Sequence, residues 1–165
     1  MIFETERLFV RKLVRDDLFA FHEMQSNPKV MQYADGEVKN LEEHALELDA
    51  LIANYNKPNN DFWIYAVERK LDTCFVGTVA VVKDACDDEI GYRFLETYWG
   101  NGYATEICSG LIRYCKSMGL EKLIAYVISK NTASLKILER FHFKRIEECV
   151  LESQLSEFKY ELYLW

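Results

Sequence analysis

Three runs between residues 61 and 95 read as strands, and the turns between them are short. The runs are DFWIYAVER (61–69), TCFVGTVAVVK (73–83) and EIGYRFL (89–95), joined through KLD and DACDD. Alternating apolar and polar side chains bounded by turn residues mark half-buried strands. Turns this short join antiparallel neighbours, because a parallel pair needs a crossover connection of a dozen or more residues. The middle of the chain is therefore expected to be an antiparallel meander, and every other element must pack on it.

The flanking segments supply those elements. ERLFVRKLV (6–14) reads as a strand, and Asp16 is expected to cap a helix running to about Asn27. Residues 40–55 bring Leu41, Ala45, Leu48, Ile52 and Tyr55 to one helical face, with Asn40 and Glu43 as a capping box. A helix over 103–119 aligns Ala104, Cys108, Leu111, Cys115 and Met118, and Gly119 takes the C′ position. KLIAYVIS (122–129) reads as a strand, NTASLKILERF (131–141) as a short helix, and KRIEECVLE (144–152) with FKYELYLW (158–165) as a closing hairpin. The fold class expected is α/β of the α+β kind, a mixed, mostly antiparallel sheet of about six to seven strands with about four helices. The 165 residues suit one domain spanning 1–165.

Composition narrows the function. A formal net charge of −7 disfavours nucleic-acid binding, which needs basic surface to neutralise phosphate. The five cysteines, Cys74, Cys86, Cys108, Cys115 and Cys149, form no C-x-x-C pair, and with scattered histidines they offer no metal-ligand spacing. They read as reduced, mostly buried thiols of a cytoplasmic protein. The start MIFETERLFV carries charges where a secretion signal would be apolar, and no apolar run reaches membrane-spanning length, so no membrane partner is expected.

The segment YWGNGYATE (98–106) holds the chemistry. A strand that runs into Gly100 and Gly102 and then into a helix presents unpaired N–H groups at a partially positive helix end. Glycine permits φ > 0 and leaves no Cβ in front of an anion. The amides of Gly100 to Thr105 can then cradle a diphosphate, with the Thr105 hydroxyl as a further donor. On the residues alone, a plain tight turn explains the glycines equally well. A dinucleotide fingerprint does not fit: the third small residue is wrong, and the loop follows an antiparallel meander. A Walker loop is excluded, because no Gly-Lys-Ser/Thr follows.

With these motifs in order, EIGYRFLETYWGNGYATE followed by NTASLKILERFHF, the whole chain resembles the GNAT superfamily of acyl-CoA-dependent N-acetyltransferases. Within it, the chain is most similar to the ribosomal-protein N-terminal acetyltransferase branch. The resemblance implies acetyl-CoA as co-substrate, no metal, and an amine-bearing acceptor, either a protein N-terminus or a small molecule. It implies that the fourth and fifth predicted strands splay apart, with the pantetheine arm lying between them along Tyr92, Phe94 and Leu95. The family's diphosphate signature falls on Trp99, Gly100, Asn101, Gly102, Tyr103 and Ala104, with Trp99 where Arg or Gln is usual. Asn131 matches the family residue that contacts the cofactor arm, or is only a helix N-cap; Ser134 lies one turn on.

The same resemblance leaves the proton chemistry open. Leu138 stands where many members have a general-acid Tyr, and His142 where they have Gly. Glu89 lies where several members carry a base, or is an exposed acid ending DACDDE; Ser134 is the other candidate, as proton relay, thiolate partner or cofactor contact. Tyr33, Asp35 and Glu37 fall in a segment that walls the acceptor site in the family. Acidic walls would also suit a polyamine or an aminoglycoside, and the missing Tyr leaves a non-catalytic acyl-CoA-binding module open. The last strand, YELYLW, either lines a homodimer edge or joins the core.

Overall fold

The computed structural model describes residues 1–34 and 38–165. Its strands are β1 (Phe3–Glu4), β2 (Leu8–Lys12), β3 (Phe62–Arg69), β4 (Phe75–Asp84), β5 (Asp87–Phe94), β6 (Lys122–Ile128), β7 (Lys144–Val150) and β8 (Ser156–Tyr163). Four α-helices accompany them among the described residues: α1 (Leu18–Ser26), α2 (Leu41–Asn54), α3 (Tyr103–Ser117) and α4 (Thr132–Arg140). The strands form one sheet in the order β1-β2-β3-β4-β5-β6-β8-β7. The count of eight exceeds the six to seven expected. The added strand is β1, which pairs only Phe3 with Val10 and Glu4 with Phe9, too short to show alternation.

The predicted meander is β3-β4-β5, antiparallel throughout. On β3, Tyr65 and Val67 join the core with Ile107 and Leu111 of α3 and Leu138 of α4, while Ala66 between them joins Phe21, Met24 and Leu48 of α1 and α2. Alternation along the strand thus sends the two helix pairs to opposite faces.

β5 and β6 are parallel, as the intervening α3 crossover requires, and they pair only at Asp88 with Leu123 and Glu89 with Ile124. Each remains fully paired on its other side: β5 with β4 through Phe94, and β6 with β8 through Ile128. Beyond Glu89 the two strands diverge. These are the predicted fourth and fifth strands, so the expected splay is present.

Several local expectations change. Asp17, not Asp16, anchors the first helix: it is buried, accepts from Val14 N at 2.9 Å, and takes two bonds of 2.8 Å from the Arg11 guanidinium. A 3-10 turn over Arg15–Asp17 precedes α1. The buried stripe of α2 runs through His44 and Leu48 rather than Leu41, which is exposed, while the Asn40–Glu43 capping box forms as expected. Met118 is exposed as well, because α3 ends at Ser117 and Gly119 turns the chain away at φ 80°. Only Cys108 and Cys115 are buried; Cys74, Cys86 and Cys149 lie exposed in turns and on the outer strand.

Candidate active site

The divergence of β5 and β6 opens a cleft of about 710 Å³. Tyr92, Arg93 and Phe94 line it from β5, Tyr126, Val127 and Ile128 from β6. Leu95 N donates to Val76 O across β4 at 3.0 Å, so alternate N–H groups of β5 point toward β4. Those of Tyr92 and Phe94 point the other way, into the gap that β6 has left. This is a sheet edge inside the cleft, suited to an extended ligand that pairs with backbone.

The glycine loop closes one end of the cleft. Gly100 and Gly102 adopt φ of 75° and 77°, the left-handed region that other residues avoid. The helical ladder of α3 begins with Glu106 N donating to Gly102 O at 3.1 Å. The N–H groups of Tyr103, Ala104 and Thr105 precede that ladder and have no intrahelical acceptor. A Cβ at Gly100 would meet nothing within 4 Å, so the approach to these donors is open. The donor set fits a diphosphate.

Arg7, which the sequence reading did not single out, and Trp99 hold this loop. Arg7 donates from Nε to Glu106 Oε2 at 2.7 Å and from Nη1 to Asn101 O at 2.9 Å. The Trp99 indole N–H donates to Phe94 O at 3.0 Å, tying the loop to the free end of β5. Trp99 therefore acts through the protein's own backbone at the position where the resemblance expects a charged or amide side chain. The Arg7 contacts span 99 and 94 residues and leave no local sequence signal.

Glu89 sits where the strands part and lines the cleft with Glu157. Burial pushes its carboxyl above the usual carboxylate range, and Asp84 and Glu157 push the same way against Lys159. Such a group holds a proton more tightly than an ordinary carboxylate and accepts one more readily. On the opposite face of β5 the Tyr92 hydroxyl lies 3.5 Å from Ser134 Oγ on α4. Burial raises the Tyr92 hydroxyl to about 12, against the hydrogen bond with Ser134.

Most residues singled out from sequence meet at this cleft. Tyr33, Glu89, Tyr92, Phe94, Trp99, Gly100, Gly102, Tyr103, Ala104, Thr105, Asn131 and Ser134 all line it. Asn131 is the N-cap of α4, accepting from Ser134 N at 3.3 Å, and Tyr33 donates to Lys130 O at 3.3 Å. Two expected cofactor contacts do not reach the cleft. Leu95 packs into the α1–α2 core, and the Asn101 amide folds back onto the carbonyls of Tyr98 and Trp99. Asp35 and Glu37 lie outside the described residues. Leu138 is buried in the core, and His142 holds φ 64° just past α4, a helix-end role. Among the described residues no group of His, Cys, Asp and Glu is placed to hold a metal, and no helix is long and apolar enough to cross a membrane.

Comparison with known proteins agrees with this geometry. The family described as the acetyltransferase (GNAT) domain matches residues 7–144. An uncharacterized N-acetyltransferase of Bacillus subtilis (strain 168), YoaA, is 27% identical over 165 residues, covering 97% of this chain and 89% of that protein. Among solved structures, an acetyltransferase (GNAT family) from Bacillus anthracis superposes with a TM-score of 0.86 at 24% identity, covering 98% of each chain. RimL, a ribosomal L7/L12 alpha-N-protein acetyltransferase solved in complex with coenzyme A, superposes at 0.82 with 16% identity, covering 97% of this chain and 96% of that one.

Proposed function

The chain belongs to the acetyltransferase (GNAT) family, and from that premise we propose that it moves the acetyl group of acetyl-CoA to a protein N-terminal amine by direct attack in a ternary complex. One observation carries the reading: the free N-terminus of α3, the unpaired edge of β5 and the carboxyl of Glu89 open onto one cleft. The amides from Gly100 to Thr105 hold the diphosphate. The pantetheine amides pair with the Tyr92–Phe94 edge, whose inward N–H groups also face the thioester carbonyl as its oxygen gains charge. Tyr33, which lines the cleft, walls the acceptor.

The acceptor must lose a proton to attack. An α-amino group has a pKa of about 8 and a lysine amine one of about 10.4, so the N-terminal amine is neutral far more often at neutral pH. Glu89 takes the proton, aided by its raised affinity for one. Leu138 has no proton to give, so Tyr92 and Ser134 donate hydrogen bonds to the departing thiolate. The reading takes residues 1–165 as one domain of the N-terminal acetyltransferase branch acting in the cytoplasm; RimL shares its fold. The last strand, β8, lies between β6 and β7, and its Tyr160 joins the core with Leu164 just past its end, so a homodimer edge falls instead to the outer, wholly exposed β7.

Thermal shift with acetyl-CoA, CoA, NAD and ATP, followed by thiol release across peptides, polyamines and aminoglycosides, tests the reading. Acetyl-CoA and CoA are expected to raise the melting temperature, and peptides to release thiol fastest. Stabilisation without turnover on any amine would favour a non-catalytic acyl-CoA-binding module instead.

A further inference from the structure

We propose that Arg93 forms a carboxylate-binding subsite for the acceptor, so that the enzyme prefers N-termini with an acidic side chain at the second or third residue. The proposal rests on the acetyltransferase reading above. Strand alternation puts Glu89, Gly91 and Arg93 on the face of β5 that looks toward α1 and α2. The diphosphate cradle belongs to α3, whose core lies across the sheet.

Arg93 lines the cleft, yet it has no ion-pair partner among the described residues. Its Nη1 donates to Gln25 Oε1 on α1. Gln25 Nε2 in turn donates to Glu47 Oε1 at 3.4 Å, and the other oxygen of Glu47 takes Lys39 Nζ at 2.6 Å. The nearest carboxylate is thus already engaged. Burial disfavours the charged guanidinium, and only Glu47 offsets this. No fully buried side-chain nitrogen among the described residues lacks a partner, so the remaining donors of the fork keep access to solvent, and Arg93 is a lining residue of the cleft. A half-dry cation without a countercharge is costly, and the guanidinium fork matches a carboxylate in a bidentate pair.

The spacing suits a peptide. Glu89 and Arg93 are four positions apart, about 13 Å along a strand. An extended acceptor with its amine at Glu89 covers about half of that span by its third residue, and a Glu side chain there together with the long Arg93 side chain closes the remaining distance. Gly91 between them leaves room, since a Cβ there would meet only Ala80 Cβ at 3.9 Å.

The test uses hexapeptides that differ only by Glu, Gln or Lys at the second and third positions. Wild-type protein is expected to favour Glu over Gln by about tenfold or more in kcat/KM. Arg93→Gln should erase that preference while leaving the CoA dissociation constant unchanged. Arg93→Lys keeps charge without the fork and should retain only part of it; it carries the test if Arg93→Gln does not fold by circular dichroism. Equal use of Glu and Gln peptides by wild type, or an undiminished preference in the variants, overturns the subsite. If CoA binds but no peptide is acetylated, the acceptor reading fails separately, and calorimetry of the same peptides on the CoA complex decides the subsite. Tighter Glu-peptide binding lost in the variant supports it, and equal binding rejects it.

Discussion

Arg7 and Glu106 lie 99 residues apart in sequence and meet through a 2.7 Å ion pair at the base of the glycine loop. Glu106 Oε1 also accepts from Thr5 Oγ1 at 2.6 Å and from Arg7 N at 2.8 Å, and the Arg7 guanidinium lies 4.6 Å from the Tyr103 ring centre. A carboxylate in the first turn of a helix that must receive an anion would oppose binding. Here its lone pairs are engaged by the β1–β2 corner, and the same contacts fix the loop.

Arg7→Ala is therefore expected to weaken CoA binding about tenfold and to lower stability by about 1–2 kcal/mol, since it strips hydrogen bonds from a charged, partly buried group. Calorimetry and urea unfolding read the two effects. Burial works to raise the Glu106 carboxyl, but hydrogen bonds from Thr5 and Arg7 outweigh it and leave the net shift downward. The stability it contributes is present above the ordinary carboxylate pKa and is lost as pH falls through the lower folded value. Glu106→Gln should flatten that acid limb.

Replacing Gly100 tests the diphosphate cradle with little packing penalty, because a Cβ there contacts nothing within 4 Å. The left-handed φ costs a substituted residue about 1–2 kcal/mol. Gly100→Val should thus fold, with a lowered melting temperature, yet bind CoA at least about tenfold more weakly as the side chain covers the amides. Unchanged CoA affinity in the folded variant would remove the amide cradle from the mechanism.

Glu89→Gln separates catalysis from stability. The amide cannot take the acceptor's proton, so kcat should fall about a hundredfold with CoA affinity intact. The wild-type pH–rate profile should show an acid limb displaced above the ordinary carboxylate range, and the variant should lack it. Because the folded state holds this proton more tightly than the unfolded chain, ionisation at neutral pH costs stability. The variant is expected to unfold at higher urea than wild type at pH 7, a gain that vanishes in acid.

What the residues revealed in advance follows from how local each cause is. Gly100, Gly102 and Gly119 were legible because a left-handed φ selects glycine. The Asn40–Glu43 box was legible because its two bonds span three residues. The splay of β5 from β6 came through resemblance, since alternation reports a strand and not its neighbours. Arg7, Gln25 and Arg93 stayed hidden because each works through a partner far along the chain. His142 shows the converse limit: nothing local to it announces that it would hold φ 64° where glycine is usual.

His22 of α1 and His44 of α2 face each other with their Nδ1 atoms 2.7 Å apart, so one ring donates a proton and the other accepts. A second proton would set two donors against each other. His44 is buried, and Phe21 meets its ring edge-on at 6.0 Å. Burial pushes His44 below its ordinary value; Glu47 opposes this, His22 and Lys39 add to it, and Glu43 opposes it. The sign follows: the neutral form is favoured in the folded state, so its contribution is present above the ordinary histidine pKa of about 6.5 and is lost as pH falls through the lower folded value. The urea midpoint of the wild type should drop from pH 7 toward pH 5. The double variant His22→Phe, His44→Leu should lose most of that slope, because no imidazole then has to stay neutral between the helices. α1 leads into the segment that carries Lys29 and Tyr33 to the cleft, so acetylation should fall over the same range in wild type and hold in the variant. A slope unchanged by the double substitution would assign the response to the carboxylates instead.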